Sequence, residues 1–248
     1  MKDTQIEYPA CSYFPEMEED HDKKPTASSK AYRVLKRAIL YGEIPLDTPI
    51  SQVKLAEMVG VSRTPLREAI NKLQQEQLVH CESNKRIIIP SYTPEDVDQL
   101  LAMRIMMECL AVRITVPSMK LGQLNELQEI YNKMCIPENS AQERAELHQL
   151  FHRKLCDKAG KHLDAEIKSL NEQAIRYQII YLNKFDFNSQ GHLPILEACI
   201  EQNPSKVSYE LARHYSRVAF GVLNEMDPLY EPIAVRQALG LNVPGESG

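Results

Sequence analysis

The chain reads as a mainly α protein in two parts: a small helical unit closed by a β-hairpin, then an all-helical antiparallel bundle. Three observations predict this. Two short amphipathic helices stand in tandem around Gly60, with only a few residues between them. Two short apolar β segments follow them directly. Beyond Thr93, apolar residues recur at helical spacing to about Met226, and no convincing strand interrupts them.

The elements follow in order. Residues 1–25 mix acidic residues, Pro and isolated aromatics without periodicity and read as a mobile acidic tail. Ala31, Val34, Leu35, Ala38 and Ile39 mark a first helix that Gly42 ends. Ser51 is positioned to cap a short helix carrying Val53, Leu55, Ala56 and Val59, with Gly60 just past its end. The next helix begins around Ser62 to Pro65, and Leu66, Ala69, Ile70 and Leu73 form its apolar stripe. Leu78–Cys81 and Ile87–Ile89 fit two strands with Ser83–Arg86 as the turn. Helix, helix-turn-helix and hairpin in that order make a winged helix-turn-helix over residues 26–90. Thr93-Pro94-Glu95-Asp96 is a helix start, with Thr as cap and Pro at the first position. Breaks at Pro117, Ile136–Asn139, Gly160, Asp186–Ser189 and Asn203-Pro204 divide residues 93–226 into six helices of four to six turns. Residues 227–248 contain Pro and Gly and read as a loosely held tail.

At 248 residues the chain has enough length for one or two cores. No apolar run nears the roughly 20 residues that span a bilayer. The acidic N-terminus lacks the apolar stretch of a signal peptide, so a cytoplasmic location is expected. Six cysteines are scattered singly, without CxxC, and read as free thiols. Charge is uneven. Residues 1–25 hold three Lys against seven Asp or Glu, whereas residues 26–90 hold ten Lys or Arg against six Asp or Glu. The basic segment is the candidate polyanion binder, although such an excess is also found on ordinary solvated surfaces.

Within that segment, Arg63 and Arg67 are four residues apart and share a helix face, which Thr64 and Asn71 extend. A helix N-terminus offers free N–H groups to phosphate, and Arg suits bidentate contact with guanine in the major groove. A plain surface helix with two arginines is the competing reading. Residues 55–70, LAEMVGVSRTPLREAI, closely resemble the helix-turn-helix signature of the GntR family, usually LA-x-x-LGVSRTPVREAL. The resemblance implies that Arg63, Thr64 and Arg67 lie on a DNA recognition helix and that Ser62 touches phosphate. Three departures stand out. The family's Pro-Gly after the first helix is replaced by Ile44-Pro45-Leu46-Asp47-Thr48-Pro49, the Gly before Leu-Val is Gln77, and the Arg-Gly wing tip is Asn84-Lys85-Arg86. Lys85 and Arg86 are therefore candidate wing contacts, with Arg86 suited to a minor groove. Where the family often has Arg, the chain has Val53, and the adjacent Lys54 is a substitute phosphate contact.

Of seven histidines, His21 and His80 lie in the tail and the wing region, and His162 stands near a helix start with no site role. His148 and His152 are spaced i, i+4 on one helix and present two imidazoles to one side, as metal-binding pairs do. His192 opens another helix and His214 sits mid-way along a third, so an inward-facing site within the bundle is available to all four. Satisfied core or surface histidines remain the alternative. The later segments resemble the FCD class, the FadR-like branch of GntR regulators, many of which bind a divalent metal through Asp-x-x-x-His and one His from each of two later helices. HQLFH at 148–152, GHLPILEA at 191–198 and ARHY at 212–215 match that layout, except that His148 replaces the Asp. Four neutral imidazoles leave the full metal charge in place and favour transition metals, zinc or nickel first, over magnesium or calcium. Arg104 matches an arginine often found in the family's ligand pocket and is a candidate clamp for an anionic effector. An i, i+4 ion pair with Glu108 is its alternative role.

Together these features imply a homodimeric, metabolite-responsive DNA-binding regulator, acting as a repressor on a pseudo-palindromic operator of double-stranded DNA. A small carboxylate effector is expected at the metal. A metal-free sensor of an apolar ligand is the first alternative. A His-ligated metalloenzyme is the second, and it is disfavoured because no carboxylate or nucleophile stands beside these motifs as an acid, base or attacker. No membrane partner is expected.

Overall fold

The computed structural model describes residues 26–40, 42–82, 86–139, 141–182 and 189–242. The chain divides into two compact units between Ile89 and Pro90.

In the first unit, helix α1 spans Ala27–Leu40 and buries Ala31, Tyr32, Leu35, Ala38 and Ile39. Gly42, at φ 69°, lets the chain reverse behind it. Strand β1 is Ile50–Ser51, and Ser51 also caps helix α2, Gln52–Val59, by accepting the Lys54 N–H at 3.2 Å. Gly60 closes α2 in the left-handed conformation, φ 70°, with its N–H directed to the Ala56 and Glu57 carbonyls. Helix α3, Arg63–Gln75, starts three residues later and buries Leu66, Ala69, Ile70 and Leu73 against α1. Strands β2, His80–Cys81, and β3, Arg86–Ile88, complete an antiparallel sheet in the order β1-β3-β2. Ile50 lies opposite Ile87 on one side of β3, and Cys81 opposite Ile87 on the other.

The sheet departs from the expected hairpin in two ways. Leu78 and Val79 are buried in the core but precede the ladder, and Arg86 opens β3 instead of closing the turn. Strand β1 is an addition, because a two-residue strand cannot display alternation. The remaining turn residues, Ser83, Asn84 and Lys85, lie outside the described residues, as do the tail at 1–25 and residues 243–248.

The second unit is helical throughout. Helix α4, Pro94–Thr115, begins with a reciprocal cap: the Thr93 hydroxyl accepts the Asp96 N–H, and the Asp96 carboxylate accepts the Thr93 N–H at 2.9 Å. A 3-10 turn at Val116–Ser118 leads to α5, Leu121–Met134, then α6, Ala141–Cys156, and α7, Lys161–Leu182. A second 3-10 turn, Ser189–His192, runs into α8, Leu193–Ile200, which is followed by α9, Pro204–Met226. Helix α4 is the hub, packed against α6, α7 and α9, and this explains why twelve of its side chains are buried. At eight residues, α8 is shorter than the four to six turns expected. The start of the unit is tied to α7, where Arg176 donates to the Pro90 carbonyl at 2.8 Å and the Tyr177 hydroxyl accepts the Tyr92 N–H at 2.9 Å.

The reading of residues 227–248 as a loose tail needs correction. Helix α10, Ile233–Asn242, packs on α4 and α9 and buries Val235, Ala238 and Asn242. Pro232 immediately precedes the helix, where a missing N–H costs nothing, and a Cβ at Gly240 would meet nothing within 4 Å. The buried Asp98 carboxylate on α4 accepts the Ala234 and Val235 N–H groups at 2.8 and 2.9 Å and the Tyr230 hydroxyl at 3.1 Å. An anion at a helix N-terminus satisfies donors that the helix cannot.

Candidate functional site

The outward face of α3 carries Arg63, Thr64, Arg67 and Asn71, all exposed, while the opposite face is locked into the core by Leu66, Ala69, Ile70 and Leu73. Neither Arg63 nor Arg67 forms an ion pair among the described residues. Ser62, at the N-cap, is exposed and makes no side-chain cap hydrogen bond, and the first turn of a helix leaves N–H groups without intrahelical partners. Lys54 is exposed in the first turn of α2, and Arg86 is exposed at the start of β3. Such a face can meet phosphates with N–H groups and base edges with guanidinium groups. Gln77 stands at φ 59°, the left-handed region, at the position where the GntR signature carries Gly.

A second constellation lies inside the helical unit. His148 and His152 come from α6, His192 from the 3-10 turn before α8, and His214 from the middle of α9. Each offers a nitrogen within 4.8 Å of the others. The Nε2 atoms of His152 and His192 are 3.2 Å apart. Two nitrogens bound to one ion at about 2.0–2.1 Å stand about 2.9 Å apart at a right angle and about 3.3 Å apart at the tetrahedral angle, so this spacing fits adjacent ligands. Burial, reinforced by neighbouring imidazoles, holds His148, His152 and His214 well below the usual histidine range. They are therefore neutral, which is the form that binds a metal. His152 and His192 are buried, His148 and His214 half-buried, and the Phe151 ring meets His152 and His192 edge-on. The donor set thus fits a transition-metal ion.

Sequence reasoning missed two members of this region. Glu108 on α4 and Tyr215 on α9 are buried beside the cluster, and Tyr215 donates its hydroxyl to Glu108 at 2.5 Å. The same hydroxyl lies 2.8 Å from His152 Nδ1. Arg104 is buried too, with Nε donating to Glu108 at 2.9 Å and its guanidinium 4.1 Å from the Tyr215 ring centre. The i, i+4 ion pair with Glu108 is therefore formed. The signal for Tyr215 was its position next to His214, and that for Glu108 its spacing from Arg104. Neither spacing reveals the contact between different helices.

An exposed helix of the helix-turn-helix type beside a small antiparallel sheet, followed by a helical unit, defines the class of a DNA-binding transcription regulator. Residues 27–89 match the bacterial regulatory proteins, gntR family, and residues 99–217 match the FCD domain. The chain belongs to the GntR family of DNA-binding transcription regulators and carries an FCD effector domain. It is similar to the uncharacterized HTH-type transcriptional regulator YdhC of Bacillus subtilis, with 29% identity over 155 residues, 61% of this chain and 69% of that one. It is also similar to the HTH-type transcriptional repressor RspR of Escherichia coli, with 22% identity over 201 residues, 79% of this chain and 88% of that one. Among solved structures, E. coli McbR/YncC superposes with a TM-score of 0.66 at 19% identity, covering 77% of this chain and 94% of the other. A GntR regulator from Rhodococcus gives 0.64 at 19% identity over 82% of this chain and 99% of its own. These two likenesses establish the fold. No helix among the described residues is long and apolar enough to cross a membrane.

Proposed function

We propose that the protein is a cytoplasmic, homodimeric repressor. It grips a pseudo-palindromic operator through residues 26–90 and senses a small carboxylate at a metal centre within residues 93–226. Convergence of four imidazoles from three separate segments is the observation that carries this reading. His148, His152, His192 and His214 would hold one divalent transition-metal ion, zinc or nickel. When bound, the ion supplies a cationic centre whose full charge no carboxylate ligand offsets. The guanidinium of Arg104 lies near enough to lower the proton affinity of His148, His152 and His214; it is paired with Glu108, so an anionic effector would have to draw it from that ion pair to gain a second positive contact. On the DNA side, Ser62, Arg63, Thr64, Arg67 and Asn71 would enter the major groove, with Lys54, Lys85 and Arg86 at flanking phosphates or the minor groove.

Dimerisation finds support along α4. Met103, Met106, Leu110 and Ile114 recur at helical spacing and are all exposed, an apolar stripe that a second copy would cover. The RspR relative is a transcriptional repressor, which supports the same role here. Elemental analysis and calorimetry test the metal reading. Wild-type protein purified without chelator should hold one ion per chain and lose thermal stability on chelation, and His152→Ala/His214→Ala should lack both the ion and the chelation response. Wild-type protein without stoichiometric metal, melting as the double variant does, would overturn it.

A further inference from the structure

The histidine cluster is connected on one side to a chain of buried polar groups that are not themselves candidate ligands. Arg104 donates to Glu108 Oε1 at 2.9 Å, Tyr215 donates to Glu108 Oε2, and Tyr215 Oη lies 2.8 Å from His152 Nδ1. Three helices contribute: α4 gives Arg104 and Glu108, α9 gives Tyr215, and α6 gives His152.

Proton bookkeeping fixes the order. The phenol has one hydrogen and can give it to Glu108 or to His152, not to both. The Glu108 carboxylate, paired with a guanidinium, can only accept. Directing the phenol hydrogen to Glu108 leaves the Tyr215 oxygen as the acceptor for a hydrogen on His152 Nδ1. A neutral imidazole protonated at Nδ1 has its lone pair at Nε2. That atom is the one that lies 3.2 Å from His192 Nε2, inside the cluster. In the opposite order, Tyr215 would donate to Nδ1, and the Nε2 hydrogen would project into the cluster where a ligand lone pair is needed. It would also strip the buried carboxylate of its second donor. A phenol keeps its hydrogen at neutral pH, so Tyr215 has one to give.

We infer that Glu108 and Tyr215 are positioning residues: through the hydrogen-bond chain Glu108–Tyr215–His152 they select the Nδ1–H tautomer of His152 and aim its Nε2 lone pair at the ion. The tautomer half of this inference stands on the hydrogen bonds alone, and the affinity half rests on the metal reading above. A hydrogen-bonded imidazole is also more basic and held in one ring orientation, which strengthens its metal bond. No structural role in packing alone would demand a particular tautomer.

The test has two readouts on the full chain. Nitrogen-15 NMR of chelator-treated protein, with the His152 signals assigned by their loss in His152→Ala, should give the Nδ1–H tautomer in wild type. In the isosteric Tyr215→Phe the same ring should shift towards Nε2–H or a mixture. Competition titration with zinc should give an affinity about 10- to 100-fold weaker for Tyr215→Phe than for wild type, with a smaller loss for Glu108→Gln, whose amide oxygen still accepts from the phenol. If Tyr215→Phe does not fold, the wild-type tautomer and Glu108→Gln decide. A wild-type Nε2–H tautomer overturns the inference, and so does a folded Tyr215→Phe with unchanged tautomer and zinc affinity within twofold of wild type. A wild-type Nδ1–H tautomer in a protein that binds no zinc would leave the relay standing and remove the metal reading instead.

Discussion

The outer face of α3 and the histidine cluster place their polar groups in opposite environments. Arg63 and Arg67 remain in water, where their charge is screened, costs nothing to hold and is available to a polyanion. The four histidines turn from water towards one another, and burial keeps His148, His152 and His214 neutral. The first arrangement suits contacts that form and break with salt. The second suits a ligand that needs lone pairs in a fixed geometry. Rigidity follows the same division: α3 is held from behind by a small apolar core, whereas the cluster is held by hydrogen bonds and rings from three helical segments.

Four predictions probe this contrast, beginning with the largest effect. The double variant Arg63→Ala/Arg67→Ala should lose about 2–6 kcal/mol of operator binding, at about 1–3 kcal/mol per base-reading arginine, and its salt slope should flatten for each phosphate contact removed. Its metal content and its melting should stay as in wild type. Operator affinity measured against salt concentration decides this, and unchanged affinity would remove α3 from the interface. On the buried side, a metal at about 100-fold above its dissociation constant should stabilise the folded chain by about 2.7 kcal/mol, and scanning calorimetry with and without chelator measures it. Raising salt should weaken operator binding steeply and leave this increment nearly unchanged.

The C-terminal helix separates anchoring from sensing. Asp98→Ala removes the acceptor for two backbone N–H groups and the Tyr230 hydroxyl, so α10 should loosen at a cost of about 1–3 kcal/mol. Hydrogen exchange should show the loss confined first to residues 233–242, with zinc affinity retained. The smallest effect concerns Gln77. Its left-handed backbone is strained for a residue with a Cβ, so Gln77→Gly should stabilise the chain by about 0.5–1 kcal/mol, read from a urea midpoint.

The sequence displayed what repeats or caps, and hid what is short or assembled from distant parts. The tandem helices were legible because Ser51, Gly60 and the Leu66/Ala69/Ile70/Leu73 stripe each carry a local signal. The Thr93-Pro94 start of α4 was legible for the same reason. Strand β1 was not, since Ile50 and Ser51 read equally as loop and are strand only because Arg86 and Ile87 pair with them. Helix α10 was hidden because Pro232 and Gly240 look like breakers, and its anchor, Asp98, lies far away in the chain. Within the histidine region, the i, i+4 spacing of His148 and His152 and the match to the FCD layout brought forward the four residues that the fold collects. Glu108 carries a helical spacing only to Arg104, and Tyr215 only its place beside His214; the bond between the two spans 107 positions of chain.

The central claim is that the buried cluster governs the exposed face. Operator affinity of the full chain tests it most directly, measured for wild type and for His152→Ala/His214→Ala, each chelated, zinc-loaded, and zinc-loaded with a panel of small di- and tricarboxylates. The account predicts that at least one carboxylate changes wild-type affinity when zinc is present and not when it is chelated, and that the double variant responds to neither. Identical operator affinity for wild type in all three conditions would contradict it, as would a carboxylate response that survives both chelation and loss of the two histidines.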